Sequence, residues 1–264
     1  MPHRLLVLGP SGRMGASVVA AASDHPALEI SAAVDRESVA GVGAPLPHAE
    51  HVTVTNDLAH GMQHADVYID FTSADSTETA ARAARGTSRK VAAVIGTTGL
   101  TPSASKAILE LAEVAPVVVA ANFSLGVNLL LGFARTAARI LGDWDAEISE
   151  IHHHHKRDAP SGTALAIARA NAAGRGVDYD AVKRHARDGD VGARPAGEIG
   201  VTALRGGDVV GEHTAFFFGP HERIELTHRA TSRAIFAQGA VHAAAWVVGQ
   251  PPGRYDMLDV LGLS

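Results

Sequence analysis

Short runs of β-branched and aliphatic residues recur through the first half of the chain, separated by Ala-rich stretches of helical length. The runs at 4–8, 28–34, 52–55, 67–71, 91–95 and 117–121 predict strands. The intervening stretches 13–22, 76–85 and 102–115 predict helices, because Ala and other good helix formers dominate them and Thr101-Pro102 places a proline at the start of the last. Strands alternating with helices in this order describe a parallel sheet covered on both faces, a Rossmann-type doubly wound α/β domain.

After residue 122 the punctuation changes. A helix over 125–141 leads to a strand at 146–151, a polar loop ending in Ser161-Gly162-Thr163-Ala164, and a helix at 163–173. A loop rich in Gly, Asp and Arg (184–198) precedes three strand-like stretches at 199–205, 208–218 and 222–228. Gly206-Gly207-Asp208 reads as a hairpin turn between the first two of these. The pattern predicts a second α+β domain with an open mixed sheet. The tail, 236–263, reads as helical and as returning to the first domain. The expected division is therefore residues 1–122 with 236–264 in one domain and 123–235 in the other, with hinges near 122–126 and before 236.

Composition narrows the classes. The 264 residues are 46% hydrophobic, enough for a sizeable core, and contain no Cys, which removes disulfides, thiolate metal sites and Cys nucleophiles and fits a reducing cytoplasm. A net charge of −5 argues against a basic nucleic-acid-binding face. No apolar run approaches the roughly 20 residues that span a bilayer, and the first residues lack the pattern of a signal peptide. The expected partner is a small molecule, with neither nucleic acid nor membrane.

Gly9-Pro10-Ser11-Gly12-Arg13-Met14-Gly15 stands between the first strand and the first helix. Glycines there permit positive φ and let backbone approach a pyrophosphate, while the following helix presents free N–H groups to the anion. The alternative is a tight turn serving only helix packing. Asp35, about 20 residues further on at the end of the second strand, is placed to accept hydrogen bonds from a ribose, and the adjacent Arg36 suits adenine or a 2′-phosphate, so the pair suggests tolerance of both NADH and NADPH. Two more loops, Gly96-Thr97-Thr98-Gly99 and Ala120-Ala121-Asn122-Phe123, follow strands at the ends where ligands sit in such sheets.

The least ordinary stretch is Glu150-Ile151-His152-His153-His154-His155-Lys156-Arg157-Asp158-Ala159-Pro160-Ser161-Gly162-Thr163. Four successive His could serve a metal, or none of them a function, but successive residues of an extended strand point to opposite faces and do not converge on one ion. The favoured reading is an acid/base and anion site. His and Lys supply protons and positive charge, and the helix opened by Ser161-Gly162-Thr163 holds a carboxylate.

At these residues the sequence resembles the dihydrodipicolinate reductase (4-hydroxy-tetrahydrodipicolinate reductase) family over nearly its whole length. The shared stretches are GxxGRMG at 9–15, IDFT at 69–72, GTTG at 96–99, AANFSxGVN at 120–128, ExHHxxKxDxPSGTA at 150–164, GEHT at 211–214 and the THxAxSR-like run at 227–233. The resemblance implies an NADH- or NADPH-dependent reductase of diaminopimelate and lysine biosynthesis, cytoplasmic and homotetrameric, that reduces 4-hydroxy-tetrahydrodipicolinate to tetrahydrodipicolinate with release of water. Carried over to matching positions, His152 is the proton donor or acceptor and Lys156 a proton donor, while His153, Gly162 and Thr163 bind substrate. Gly9, Pro10, Ser11, Gly12, Arg13, Met14, Asp35, Arg36, Gly96, Thr97, Thr98, Ala120, Ala121, Asn122 and Phe123 contact the cofactor. No metal is implied. His154 and His155 occupy spacer positions without a role, and Asp35 stands where the family often has Glu. A reductase of another small dicarboxylic imine and a non-catalytic NAD(P)H-binding regulator are the competing readings.

Overall fold

The computed structural model describes residues 1–263 and divides into two compact units, Met1–Leu125 with Ala234–Gly262, and Gly126–Arg233 with Leu263. Chain passes between them at 125–126 and 233–234. The last described residue thus joins the second unit, where its side chain lies against Gly132, rather than the first unit as expected. Ser264, the end of the expected first domain, lies outside the described residues.

In the first unit β1 (His3–Leu8), α1 (Arg13–Ala22), β2 (Leu28–Val34), β3 (Pro45–Leu46), β4 (Ala49–Thr55), α2 (Leu58–Gln63), β5 (Val67–Asp70), α3 (Ala74–Arg85), β6 (Ala92–Ile95), α4 (Pro102–Ala112) and β7 (Pro116–Val119) follow in order. In the second come α5 (Leu125–Ile140, its first residue still in the first unit), β8 (Asp145–His152), α6 (Gly162–Arg175), α7 (Tyr179–Val182), β9 (Lys183–Arg184), β10 (Ile199–Arg205), β11 (Gly211–Gly219) and β12 (Glu222–Ala230). α8 (Ala234–Val247), β13 (Gly253–Tyr255) and α9 (Met257–Val260) complete the first unit.

The first sheet has the order β13-β7-β6-β5-β1-β2-β4-β3, parallel except for β3 against β4. It is the expected Rossmann-type sheet. The order reverses between β1 and β5, so a crevice opens beyond their carboxyl ends, where such folds bind ligands. Leu5, Val7, Val18 and Ile30 lie in one buried cluster with α8, and Leu6, Leu8, Tyr68 and Ile95 in another, as alternation along strands buried on both faces requires. Gly239 lets α8 approach closely, since a Cβ there would lie 1.7 Å from the Phe123 carbonyl oxygen.

The second sheet, β12-β11-β8-β10-β9, is mixed, with β8 parallel to β10 and antiparallel to β11. One face carries Ala146, Ile148, Ile199, Val201, Ala215 and Phe217 into a core with Ile167, Ala168 and Ala172 of α6. The expected hairpin between residues 199–205 and 208–218 does not form. β8 lies between those strands, and the hairpin of this sheet joins β11 to β12. Gly206-Gly207 instead bridges the end of β8. Gly206 N–H donates to His152 O, and Gly207 O accepts from His154 N–H. The tail also differs, because Pro251-Pro252 ends the helical run and Gly253–Tyr255 adds a strand beside β7. The short α2 and β3 were not anticipated.

Candidate active site

In the first unit the chain after β1 turns at Gly9, whose φ of 65° is left-handed, and Gly12 N–H closes the turn onto Gly9 O at 3.0 Å. A Cβ at Gly15 would sit 2.0 Å from Gly9 O, so α1 can begin this close to the turn only with glycine there. Gly12 caps α1 without a side-chain acceptor, and the helix start is left for an anion. Beyond it lies a cavity of about 810 Å³ whose walls include Gly9, Ser11, Gly12, Arg13, Met14, Asp35 and Arg36. Asp35 accepts from Ser11 N–H at 3.1 Å and from its neighbour Arg36 N–H at 2.8 Å, which ties the end of β2 to the glycine turn.

Pro10 is buried beneath the turn and does not line the cavity. Phe71, Thr72 and Ser73 after β5 do line it, and sequence reading did not single them out as contacts. They are held by Asp70, fully buried, which accepts from Thr72 Oγ1 at 2.6 Å, Thr77 Oγ1 at 2.7 Å and Thr97 Oγ1 at 3.3 Å. Gly96, Thr97 and Thr98 follow β6, and Ala120, Ala121 and Asn122 follow β7, but none of these is among the cavity's lining residues. Phe123 is 1% exposed and meets Phe71 edge-on, with ring centroids 5.4 Å apart, so its side chain supports a cavity wall from behind.

In the second unit β8 delivers Glu150 and His152 on one face. His152 Nδ1 lies 2.6 Å from Glu150 Oε2. Glu150 has no exposed surface, and it also accepts two guanidinium bonds from Arg205 at 2.8 Å each and the Ser161 N–H at 3.0 Å. Burial pushes this carboxyl upward, but Arg205, His152 and the Ser161 N–H outweigh it and hold it below the usual carboxylate range. Arg205 further donates to Asp158 O at 2.7 Å, which fixes the loop on its way to α6.

Ser161 caps α6 by accepting from Ala164 N–H at 3.1 Å, and its hydroxyl lies 3.0 Å from His213 Nε2. Gly162 is exposed at the tip of this helix, with open space around its Cα. His213 on β11 packs edge-on to His152, with ring centroids 5.2 Å apart. Burial, with a further push from His152, lowers its pKa to about 4, so it is neutral near pH 7. Burial and then Arg233 lower His153 as well. His153 is anchored by its N–H to Val209 O, and its Nδ1 is buried without a hydrogen bond.

Lys156 Nζ bonds both oxygens of exposed Asp158, at 2.9 and 3.0 Å. His154 is bound to Gly207 O through Nδ1 at 2.8 Å and meets His155 at a tilt, with ring centroids 3.9 Å apart. Among the described residues no three His, Asp or Glu side chains gather as metal ligands, and no helix is long and apolar enough to cross a membrane. Glu150, Arg205 and His213 were not assigned roles from sequence. The signal was in strand parity, since Glu150 follows Ala146 and Ile148, and His213 precedes Ala215 and Phe217, at inward positions.

The family model for the dihydrodipicolinate reductase N-terminus matches residues 3–123, and that for its C-terminus matches 126–261. The chain is 48% identical to a 4-hydroxy-tetrahydrodipicolinate reductase of Anaeromyxobacter dehalogenans over 98% of both chains. It is also 48% identical to one of Myxococcus xanthus over 99% of this chain and 98% of the other. Among solved structures it superposes on a dipicolinate-bound dihydrodipicolinate reductase from Paenisporosarcina sp. TG-14 with a TM-score of 0.81 and 26% identity, covering 98% and 99% of the two chains. A probable dehydrogenase from Thermotoga maritima shares the fold at a TM-score of 0.63 and 12% identity, over 98% of this chain and 93% of that one. This chain belongs to the dihydrodipicolinate reductase family.

Proposed function

We infer that the chain is an oxidoreductase that reduces 4-hydroxy-tetrahydrodipicolinate to tetrahydrodipicolinate, with release of water, in diaminopimelate and lysine biosynthesis. The observation that carries this reading is the joining of His152 and the start of α6 by one buried carboxylate, with Lys156 in the loop between them, in a chain whose named relatives match it end to end. The bound reduced nicotinamide supplies a hydride to the substrate's conjugated imine.

The side chains of the second unit handle charge and protons. The diacid's carboxylates are met by Gly162 and Thr163 at the start of α6 and by His153. Lys156 takes part once the substrate displaces Asp158 from its ammonium, and the electron-rich product of hydride addition collects a proton from His152 or Lys156. In the first unit Gly9, Ser11, Gly12, Arg13 and Met14 bind the pyrophosphate side of the cofactor, supported by the uncapped start of α1. Gly96, Thr97, Thr98, Ala120, Ala121 and Asn122 approach its nicotinamide end.

Both NADH and NADPH are accepted in this reading. Asp35 offers acceptors to ribose hydroxyls. Arg13 and Arg36, which have no carboxylate partner among the described residues, offer charge to a 2′-phosphate. The assembly is a homotetramer, built through the sheet face opposite the second unit's core, where Leu204, Phe216 and Phe218 point outward; Leu204 is 47% and Phe218 36% exposed. The cytoplasm, where the reduced cofactor pool lies, is the location this implies.

The test is oxidation of NADH and of NADPH with the product of a dihydrodipicolinate synthase as substrate. Turnover with both is expected, as is competitive inhibition by dipicolinate, the planar diacid named for the Paenisporosarcina structure. No oxidation of either cofactor overturns the reading, and sedimentation as a monomer overturns the tetramer.

A further inference from the structure

His152 has two ring nitrogens, and the structure treats them differently. Nδ1 faces Glu150 Oε2 at 2.6 Å. No hydrogen bond among the described residues engages Nε2, which borders Gly211 of β11: a Cβ built at 211 would come within 3.0 Å of it. The ring is only 12% exposed, so which nitrogen carries hydrogen is decided by protein neighbours rather than by bulk water. The charged or titratable groups around it are Glu150 on its own strand, Arg205 of β10 behind that carboxylate, His213 of β11 and the adjoining His153.

Glu150 can only accept here. Its Oε1 takes the Ser161 N–H and one Arg205 nitrogen, and its Oε2 takes the other Arg205 nitrogen, so the oxygen facing His152 belongs to an anion with no proton to give. Hence the ring must present a hydrogen at Nδ1. We propose that Glu150 is a positioning residue which holds His152 in its Nδ1–H form, making Nε2, the nitrogen kept uncovered by Gly211, the one that exchanges the proton with substrate. This rests on the assignment of His152 as acid.

In the step itself the Nε2–H bond breaks, its electron pair stays on nitrogen, and the proton passes to the reduced substrate. Glu150 remains an anion throughout, opposite an imidazolium before transfer and a neutral ring after it. The same carboxylate binds the Ser161 N–H, so the acid and the helix start that grips the diacid are registered against one another through a single side chain.

The experiment uses the full chain with 15N-labelled histidine and no ligand. Two-bond proton–nitrogen correlation spectra report the tautomer of each neutral ring, and His152 is assigned by the signal missing in His152→Gln. An Nδ1–H ring is expected for His152. An Nε2–H ring overturns the proposal, and this reading needs no variant of Glu150 to fold. In Glu150→Gln, whose amide can donate to Nδ1, loss of the pure Nδ1–H signature and a fall in kcat of about 100-fold are expected. An unchanged signature overturns the proposal. Gly211→Ala leaves the bonds to Glu150 in place. It is expected to keep the Nδ1–H signature while kcat falls about tenfold or more, and wild-type kcat there counts against Nε2 as the exchanging nitrogen. Should His152→Gln turn over normally, the assignment of the acid fails, whatever tautomer the spectra show.

Discussion

Each unit holds one carboxylate with no exposed surface at all, Asp70 in the first and Glu150 in the second, and the two are used differently. Asp70 in the first unit accepts from three threonine hydroxyls and from the Thr72 N–H, all neutral donors on the segments after β5 and β6. Glu150 in the second accepts from a guanidinium, an imidazole and a helix-start N–H. Asp70 braces the segments after β5 and β6, the first of which shares a cavity with a turn whose own work is done by backbone: left-handed Gly9, close-packed Gly15 and an uncapped helix start. Glu150 braces side chains that themselves carry charge and protons. A site made of peptide groups needs its loops held still. A site made of titratable groups also needs its neighbours to fix which form each group takes.

The contrast is broken most sharply at Lys156. Replacing it by Ala should lower kcat by about 10²–10³-fold while NADH affinity, read by fluorescence titration, stays within about twofold, because the glycine turn is untouched. Equal losses in both would mean that the two sites are not separable as drawn.

The next largest effect is on stability and belongs to the second unit. His213 is held neutral down to about pH 4 when folded, whereas the unfolded chain's imidazole protonates near its ordinary value of 6.5. Between those values the unfolded state binds more protons, so this contribution is fully present above about pH 6.5 and is lost as pH falls to about 4, by up to about 3 kcal/mol. Denaturant unfolding across that window should show the decline, and His213→Asn should flatten it.

Asp70→Asn should cost about 2 kcal/mol by the same measurement, since the new amide turns a donor toward hydroxyls that need an acceptor. It should also weaken NADH binding, through Thr72 and Thr97, with little change in kcat for the enzyme that remains loaded. Smallest is Tyr68→Phe. The Tyr68 hydroxyl is fully buried with no hydrogen-bond partner, so removing it should be neutral or stabilise by up to about 1 kcal/mol. A clear destabilisation would show that the first unit's core uses that oxygen.

Much of this architecture could be read from the pattern of residues. β2, α1 and β10 carry the anticipated bounds, because their signals are local: alternation or continuous apolar runs, and Ala-rich stretches closed by turn residues. Strand order in the second sheet was not local. Gly206-Gly207-Asp208 marks a reversal correctly, but no turn sequence encodes that β8 will lie between the strands it joins. The candidate site divides in the same way. His152, Lys156 and Ser161-Gly162-Thr163 stand in one continuous stretch, whereas Arg205 and His213 lie 53 and 61 residues beyond His152 in sequence, brought alongside it by sheet register. Glu150 was visible as a residue but not as a hub, since its partners lie on three separate segments.

The interruption of the first unit by residues 126–233 has a consequence for synthesis on the ribosome. Every residue of the second sheet has been translated before α8 and β13 exist, so for more than a hundred residues of elongation β7 is a sheet edge and one face of the first sheet has α1 but lacks α8. Chains truncated near residue 235 and freed from the ribosome should therefore hold a protease-resistant second unit and an open, chaperone-binding first one, a reversal of the order in which the two halves begin to emerge.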